Sequence, residues 1–546
     1  MRSIVLDIET NLAHDTIWMA ATCDVSTRET AVFTDAASLA QHIQSADTII
    51  GHNLIGFDVP VLRKVWGVIV PLSKVIDTLV LSRLYNPSLE GGHSLRAWGE
   101  RMGQEQKGDF KDFDGGLCDE MITYCVQDTV VNALLYKELS KRLMMDGFSE
   151  ESINIEHDVA IYTKEQEENG FYFDFDMACN ISAEHNERMN VIETQLQEVF
   201  PPIVTERWSE KTGKRLKDDV EVFNVGSRQQ IAKRLESKGA VWTQRTEKGA
   251  IIVNEKTLSA LTHIPEAELV LEYLTLQKRL GMVNSWLDAY KSDGRVHGYV
   301  NTCGAVTGRM THSNPNMAQI PSESLYRQCW TVPEGNALIG IDASGLELRM
   351  LAHYMNDEAY TQEILHGDVH TANQRSAGLA TRDQAKTFIY AFLYGAGDAK
   401  IGSIVGGSSA DGRRLKEQFL SNTPSLQSLR ERVSRAAGSG RIAGLDGRKI
   451  RIRSEHAALN SLLQSAGAIV MKQALILATE RLRENHVPYK LVAQVHDEFQ
   501  VEAPEQFAEA VGHTFRNAIK RAGECFELCC PLDGEFKIGT TWADTH

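Results

Sequence analysis

The sequence predicts a multidomain chain of mixed α/β and α+β construction, and three observations lead there. The length, 546 residues, exceeds what one hydrophobic core serves and suggests three or four domains. Strand-like and helix-like stretches alternate over the first 148 or so residues and again after residue 295. Between them, from about 151 to 290, long helical periodicities dominate.

Taken in order, "SIVLDIE" reads as a strand and "DTIIGHN" as a second one running into a turn. "VIDTLVLSRLY" and "DEMITYCVQDTVVNALLYKELSKRL" carry helical spacing. The middle region reads as three helices, "IEHDVAIYTKEQEENG", "ACNISAEHNERMNVIETQLQEVF" and "AELVLEYLTLQKRLGMVNSWLDAY". A polar, basic segment from "PPIVTERWSEKTGKRLKDD" separates the second from the third. Neither an internal repeat nor a low-complexity tract appears.

Hydrophobic residues make up 42% and charged residues 24% of the chain, ordinary values for a soluble globular protein. No apolar run is expected to act as a membrane span, and no signal peptide is expected, because only four residues separate Arg2 from the first acid. Nine cysteines in unpaired spacing point to a reducing compartment and away from zinc. The net charge of −16 argues at face value against a polyanionic partner. Two local basic stripes survive: eight Lys/Arg against four acids from Arg207 to Arg234, and eight against two from Arg430 to Arg453.

Chemistry enters with the acids. The apolar strand Ala337 to Ile341 delivers Asp342, and Ser344 is positioned to cap a helix with Leu346, Met350 and Leu351 as its buried stripe. "YKLVAQVHDEFQVEAP" alternates like a strand, breaks at His496, Asp497 and Glu498, and resumes. Asp342 and Asp497 both stand at strand exits, and a site of hard oxygens without His or Cys suits Mg²⁺. In "TRDQAKTFIYAFLYGAG", Thr381 and Gln384 have capping-box spacing. Arg382, Lys386, Tyr390 and Tyr394 recur every four residues, opposite Phe388, Ile389, Phe392 and Leu393. Two cations followed by two aromatic rings suit phosphates and a stacked base. "GAGDAKIGSIVGG" lacks a P-loop ending and reads as a loop. Near the N-terminus Asp7 and Glu9 share one strand face, Asp58 follows in "HNLIGFDVP", and Tyr124 and Asp128 sit at i and i+4 in "YCVQD".

These stretches resemble family A DNA polymerases, most closely the short replicative polymerases of tailed phages. "DASGLELR" and "VHDE" look like the two palm motifs, "RDQAKTFIYAFLYGAG" like the fingers motif, and "DIE", "HN...FD" and "YCVQD" like three proofreading exonuclease motifs. "GAVTGRMTHSNPNMAQIP", "GDVHT" and "LLQSAGA" extend the likeness along nearly the whole chain. The resemblance implies an RNase H-like 3′–5′ exonuclease domain at 1–148, a thumb at 151–294 with a short basic segment at 201–224, a palm at 295–353 and 472–546, and fingers at 354–471. Asp342 and Asp497 would hold two Mg²⁺ ions with the Ala343 carbonyl, and Glu498 would support them. His370, Arg382 and Lys386 would grip the triphosphate, with Lys386 protonating pyrophosphate. Glu347 would exclude the ribose 2′-hydroxyl. Tyr390 would favour acceptance of dideoxynucleotides, and Tyr394 would pack near the templating base. Arg309 and Gln464 would read the minor groove, and His496 would lie near the primer end. Asp7, Glu9, Asp58 and Asp128 would hold two more Mg²⁺ ions, Mn²⁺ being a substitute, and Tyr124 would orient the attacking water.

The same resemblance implies primer–template DNA and dNTPs as partners, with a replicative helicase and a single-strand-binding protein as further candidates, in a monomer in the host cytoplasm. No 5′ nuclease is expected, since "VLDIE" begins at Val5. Thioredoxin binding is not expected either: where phage relatives carry a long thumb insertion, only Pro201 to Asn224 is present, and this basic segment would track duplex phosphates directly. A single-subunit RNA polymerase is disfavoured by Glu347 and "DIE". A decayed DNA-binding scaffold is disfavoured because every motif acid is present.

Overall fold

The computed structural model describes residues 2–103 and 110–546. The N-terminal region builds a five-stranded sheet in the spatial order Thr30–Phe33, Ile17–Asp24, Ser3–Thr10, Thr48–Gly51, Val75–Asp77. Its first three strands are antiparallel and its last two parallel, as expected of the RNase H-like domain. The 27-residue helix Asp119–Met145 packs across it. "VIDTLVLSRLY" is helical only from Thr78, and Val75–Asp77 is instead the fifth strand. The break is made by Asp77, whose buried carboxylate accepts from the backbone of Leu79 at 2.9 Å and so caps the helix.

A second sheet carries Lys490–Val495, Glu498–Pro504, Asn336–Ala343 and Gly534–Gly539 in that order, all antiparallel. One face of its central strands is apolar, Ile339, Ile341, Phe499 and Val501 joining one core with Met350, Phe388, Phe419, Leu462 and Phe515, while Glu498, Gln500 and Glu502 are buried on the other. The helix Glu150–Asn169 adds Ile155, Val159 and Tyr162 to this core and Ala160 to that of the N-terminal sheet. It therefore belongs to the compact unit made of 1–171, 298–319 and 332–546. Glu455–Glu484 does have the length and mean hydropathy, 1.4, of a membrane span, contrary to the reading from sequence. Most of that window, 78%, is buried inside the protein, so its apolar character is explained by core packing.

The second compact unit comprises 172–297 and 320–331. Helices Phe175–Val199 and Pro265–Ala289 pack together, joined by the fork of Arg188 onto Glu272 at 2.6 and 2.8 Å. The expected basic segment is a hairpin, Ile203–Thr205 against Asp219–Glu221. Arg215 is paired with Glu206 and Asp218, and Lys233 with Glu221. Arg207, Lys211, Lys214 and Lys217 have no ion-pair partner among the described residues.

The glycine-rich stretch after the fingers motif is not a loop throughout, because Asp398–Ile404 is a helix. It crosses Ser409–Ser421 so closely that a Cβ on Gly412 would lie 1.9 Å from the Asp398 carbonyl oxygen, and one on Gly402 1.9 Å from that of Ser408. Backbone approach, not flexibility, accounts for these two glycines. Gly412→Ala is therefore expected to cost about 3 kcal/mol by overpacking, read as a lowered melting temperature. Gly397→Ala, where nothing lies within 4 Å of the added carbon, is the control and is expected to change little.

Candidate active sites

The strand Asn336–Ala343 ends at the edge where Asp342 stands opposite Glu498 on one neighbour and Glu535 on the other. The next rung completes the centre: the Ala343 N–H donates to the Asp497 carbonyl at 3.0 Å. Asp342 and Asp497, 155 residues apart in sequence, are thereby neighbours. Asp497 and His496 form the two-residue turn between Lys490–Val495 and Glu498–Pro504, and His496 takes a left-handed φ of 57°. A glycine would occupy that position at less cost, so the turn carries strain of the kind found at working sites.

Charge is the dominant feature of this edge. Burial, then Asp497, Glu498 and Glu535, push the Asp342 carboxyl up to about 7. Burial also raises Asp497, against the pull of His496 and Arg309. Neither carboxylate accepts a hydrogen bond from a side chain among the described residues. A divalent cation meets both conditions, since it repays desolvation and is coordinated by hard oxygens. Glu498 differs: it is buried and accepts from Trp542 Nε1 at 2.6 Å and from Gln500, with His546 Nδ1 at 3.0 Å. Its oxygens are committed to Gln500 and to the C-terminal residues Trp542 and His546, on the sheet face it shares with Asp342.

Helix Leu346–Met355 follows at once, but Ser344 does not cap it. The chain enters through Gly345 at φ 60°, while Ser344 donates its N–H to Asp533 and accepts from Arg349 Nε at 2.8 Å. A left-handed residue was needed there, and only glycine adopts it freely. Glu347, in the first turn, accepts from the Tyr394 hydroxyl at 2.7 and 2.8 Å and from Arg309 Nη2 at 3.2 Å. Glu347, expected at the nucleotide sugar, Tyr394, expected near the templating base, and Arg309, expected in the minor groove, thus close on one another.

The helix Arg382–Leu393 forms with the anticipated capping box between Thr381 and Gln384. Phe388, Ile389, Phe392 and Leu393 are buried, leaving Arg382 and Lys386 exposed and Tyr390 half-buried. Arg382 Nε meets Asp368 Oδ2 at 2.6 Å, holding that carboxyl well below the usual range, and Asp368 caps the helix Val369–Ala377 that bears His370. Burial, then Arg382 and Lys386, keep His370 neutral to lower pH, and its ring centroid is 6.4 Å from that of Tyr390. The structure thus brings His370, Arg382, Lys386 and Tyr390 together. Gln464 is half-buried on Ala458–Glu484, one turn before Gly467, whose bare backbone faces Leu346.

At the N-terminal sheet Asp7 and Glu9 project from one face of Ser3–Thr10. Asp58 Oδ1 accepts from the Ile8 N–H at 3.1 Å, and burial together with Asp7 raises its pKa well above the usual carboxylate range. Asp128 is buried on Asp119–Met145, and Tyr124 on the same helix packs its ring against Phe110 and Phe113. The sequence reading missed Cys125. Its Sγ lies 3.6 Å from Asp7 Oδ2, and ligand atoms of Asp7, Glu9 and Cys125 fall within 4.8 Å of one another. Its place in "YCVQD", three residues before Asp128 on one helical face, was the available signal.

The Asp342 pKa has a measurable consequence. In the metal-free folded chain it is about 7, against about 3.9 when unfolded. The folded state binds this proton more tightly, so the penalty of ionised Asp342 grows as pH rises from about 4 to about 7 and is complete above that. Because Asp342 is exposed at the strand end, solvent screening reduces the effect: Asp342→Asn is expected to raise the melting temperature in chelator at pH 8 by no more than about 2 °C, and to change it little at pH 4. Equal effects at both values would contradict the assignment.

With this geometry in view, comparison with known proteins is informative. Residues 204–544 match the family described as DNA polymerase family A. The chain is 36% identical to the DNA-directed DNA polymerase of Escherichia phage T7, over 93% of its own length and 94% of the relative's. That alignment runs over 661 positions against a 546-residue chain, so the relative carries segments this chain lacks. DNA polymerase I of Aquifex aeolicus is 29% identical over 61% of each chain. The solved POL domain of Pol1 from M. smegmatis, in complex with DNA primer-template and dNTP, superposes with a TM-score of 0.84 over 100% of this chain and 96% of that one, at 19% identity. Likeness of this extent, over a fold whose sheet edge gathers the motif acids, places the chain in DNA polymerase family A.

Proposed function

We propose that this protein is a DNA-directed DNA polymerase that extends a primer 3′-hydroxyl on a DNA template, edits its product with a 3′–5′ exonuclease, and serves phage DNA replication in the host cytoplasm. The observation that carries this reading is the meeting of Asp342 and Asp497 at one sheet edge, with their carboxyls raised and short of positive charge. Two Mg²⁺ ions held by Asp342, Asp497 and the Ala343 carbonyl would supply Lewis-acid activation of the primer hydroxyl and charge neutralisation, and two more on Asp7, Glu9, Asp58 and Asp128 would do so for a hydrolytic water.

The chain's own residues do the rest. Lys386, Arg382 and His370 bind the triphosphate, and Lys386 passes its proton to the departing pyrophosphate oxygen. For Arg382 this requires exchanging Asp368 for phosphate, a trade between charge-assisted bonds of similar strength. Glu347 occupies the space of a ribose 2′-hydroxyl, and Tyr390 stacks beside it. Tyr394 leaves Glu347 as the fingers helix moves and packs against the templating base. Arg309 and Gln464 donate to minor-groove acceptors shared by all correct pairs, and His496 borders the primer end. Tyr124 orients the attacking water in the editing site. The hairpin at 201–224 follows duplex phosphates through Arg207, Lys211, Lys214 and Lys217.

Primer extension tests the two sites separately. Asp342→Ala is expected to lower nucleotide incorporation by at least about a thousandfold, on the order of 4 kcal/mol, with degradation of single-stranded DNA intact. Asp7→Ala is expected to do the reverse. Unchanged incorporation by the first variant would exclude the polymerase assignment, and unchanged degradation by the second the editing one. Glu347→Ala is expected to admit ribonucleotides, read as a rise in the ratio of rNTP to dNTP kcat/KM of about 10²-fold; no rise would remove Glu347 as the sugar filter.

A further inference from the structure

Beneath the loop that carries Arg309 lie four charged side chains sealed from water: Glu156, Asp446, Arg448 and Lys472. Two acids and two bases balance, as buried charges must. Glu156 Oε1 accepts from Arg448 Nη1 at 2.6 Å and from Lys472 Nζ at 2.5 Å, while Arg448 forks onto Asp446 through Nε and Nη2 at 2.8 and 2.6 Å. Replacing such a cluster with apolar residues is commonly neutral or stabilising, so stability alone does not account for it.

Its position does. Lys472 Nζ donates a second hydrogen bond, 2.9 Å long, to the carbonyl oxygen of Gly308. On the same residue, at φ 75°, an added Cβ would lie 2.8 Å from Arg448 Nη1. The backbone at Gly308 is therefore held by one buried cation and closely approached by another. The turn is closed by Gly308 N–H to the Ala305 carbonyl at 2.9 Å and Ala305 N–H to that of Arg309 at 3.2 Å. The next side chain is Arg309, aimed at Glu347 and close enough to Asp497 and His496 to shift both. A small rotation of the peptide after Gly308 would be magnified along that long side chain.

We propose that Lys472, anchored by Glu156 and Arg448, is a positioning residue for Arg309, setting the direction in which the guanidinium meets the nascent base pair. The proposal rests on the reading of Arg309 as a minor-groove contact. Lys472 touches neither DNA nor nucleotide; it fixes a carbonyl, and the peptide plane carries that constraint to the reading side chain.

A mutant cycle on the full chain tests this. Glu156→Gln with Lys472→Met keeps the buried charges balanced and leaves Arg448 an acceptor, but removes the donor to Gly308. This pair is expected to lower kcat/KM for single-dNTP addition to a matched primer terminus by about ten- to a hundredfold, to lower it less on a mismatched terminus, and to leave melting nearly unchanged. Gly308→Ala, which disturbs the same peptide from the Arg448 side, is expected to compress the matched-to-mismatched ratio likewise. In an Arg309→Ala background the Glu156/Lys472 pair is expected to add almost nothing. Losses that multiply in that background, or an unchanged matched-to-mismatched ratio in both variants, would overturn the proposal while leaving Arg309 in place. Arg309→Ala with full activity on matched termini would overturn the reading of Arg309 and the proposal with it.

Discussion

Everything at the polymerase centre depends on one electrostatic constraint: an antiparallel register that sets Asp342 opposite Glu498 and Glu535 and one rung from Asp497. Apolar strands hold these acids in place, so repulsion cannot separate them; Glu498 is buried and Asp497 half-buried, while Asp342 stands at the exposed end of its strand. The chain meets the cost by raising pKa values, and a divalent cation meets it by bringing charge. A site built this way trades stability for affinity, in keeping with the strained turn at His496.

Around that edge several polar side chains engage one another. Arg309 and Tyr394 engage Glu347, and Arg382 engages Asp368. Of these contacts, only that of Tyr394 with Glu347 ties the end of the helix Arg382–Leu393 to the helix Leu346–Met355. The ion pairs are exchangeable because their partners are partly exposed, where an ion pair contributes about 1 kcal/mol or less. The buried quartet of Glu156, Asp446, Arg448 and Lys472 is the opposite case: sealed, balanced and permanent.

The basic stripe from Arg430 to Arg453 shows how a charge pattern can mislead. Arg448 is buried in that quartet, Arg441 pairs with Asp146, Arg441 and Arg451 lie over Tyr85, and Arg453 reaches Ser88. Much of the stripe therefore joins the hairpin of Arg441–Ala443 and Lys449–Arg451 to the N-terminal region or lies in the buried quartet. Among the described residues, four cations of the hairpin at 201–224 have no ion-pair partner, but the segment carries acids among them.

The mixed, multidomain class was legible because period-2 and period-3.6 patterns are local. So was the Thr381–Gln384 cap, and so were the apolar strands that deliver Asp342 and Asp497, since capping and burial leave their marks within a few residues. The family motifs picked out the candidate site residues before any geometry was known. Sequence alone did not determine what depends on distant backbone approach: the Gly402–Gly412 crossing, Gly345 in place of Ser344 at a helix start, the burial of Glu455–Glu484, or the place of Cys125 beside Asp7 and Glu9. The quartet beneath Arg309 belongs here too, because its members come from three distant stretches and look, in one dimension, like ordinary surface charges. Tertiary structure decided these points for a single physical reason: the energy of a charge or a bare backbone is set by what surrounds it, and those neighbours are remote in the chain.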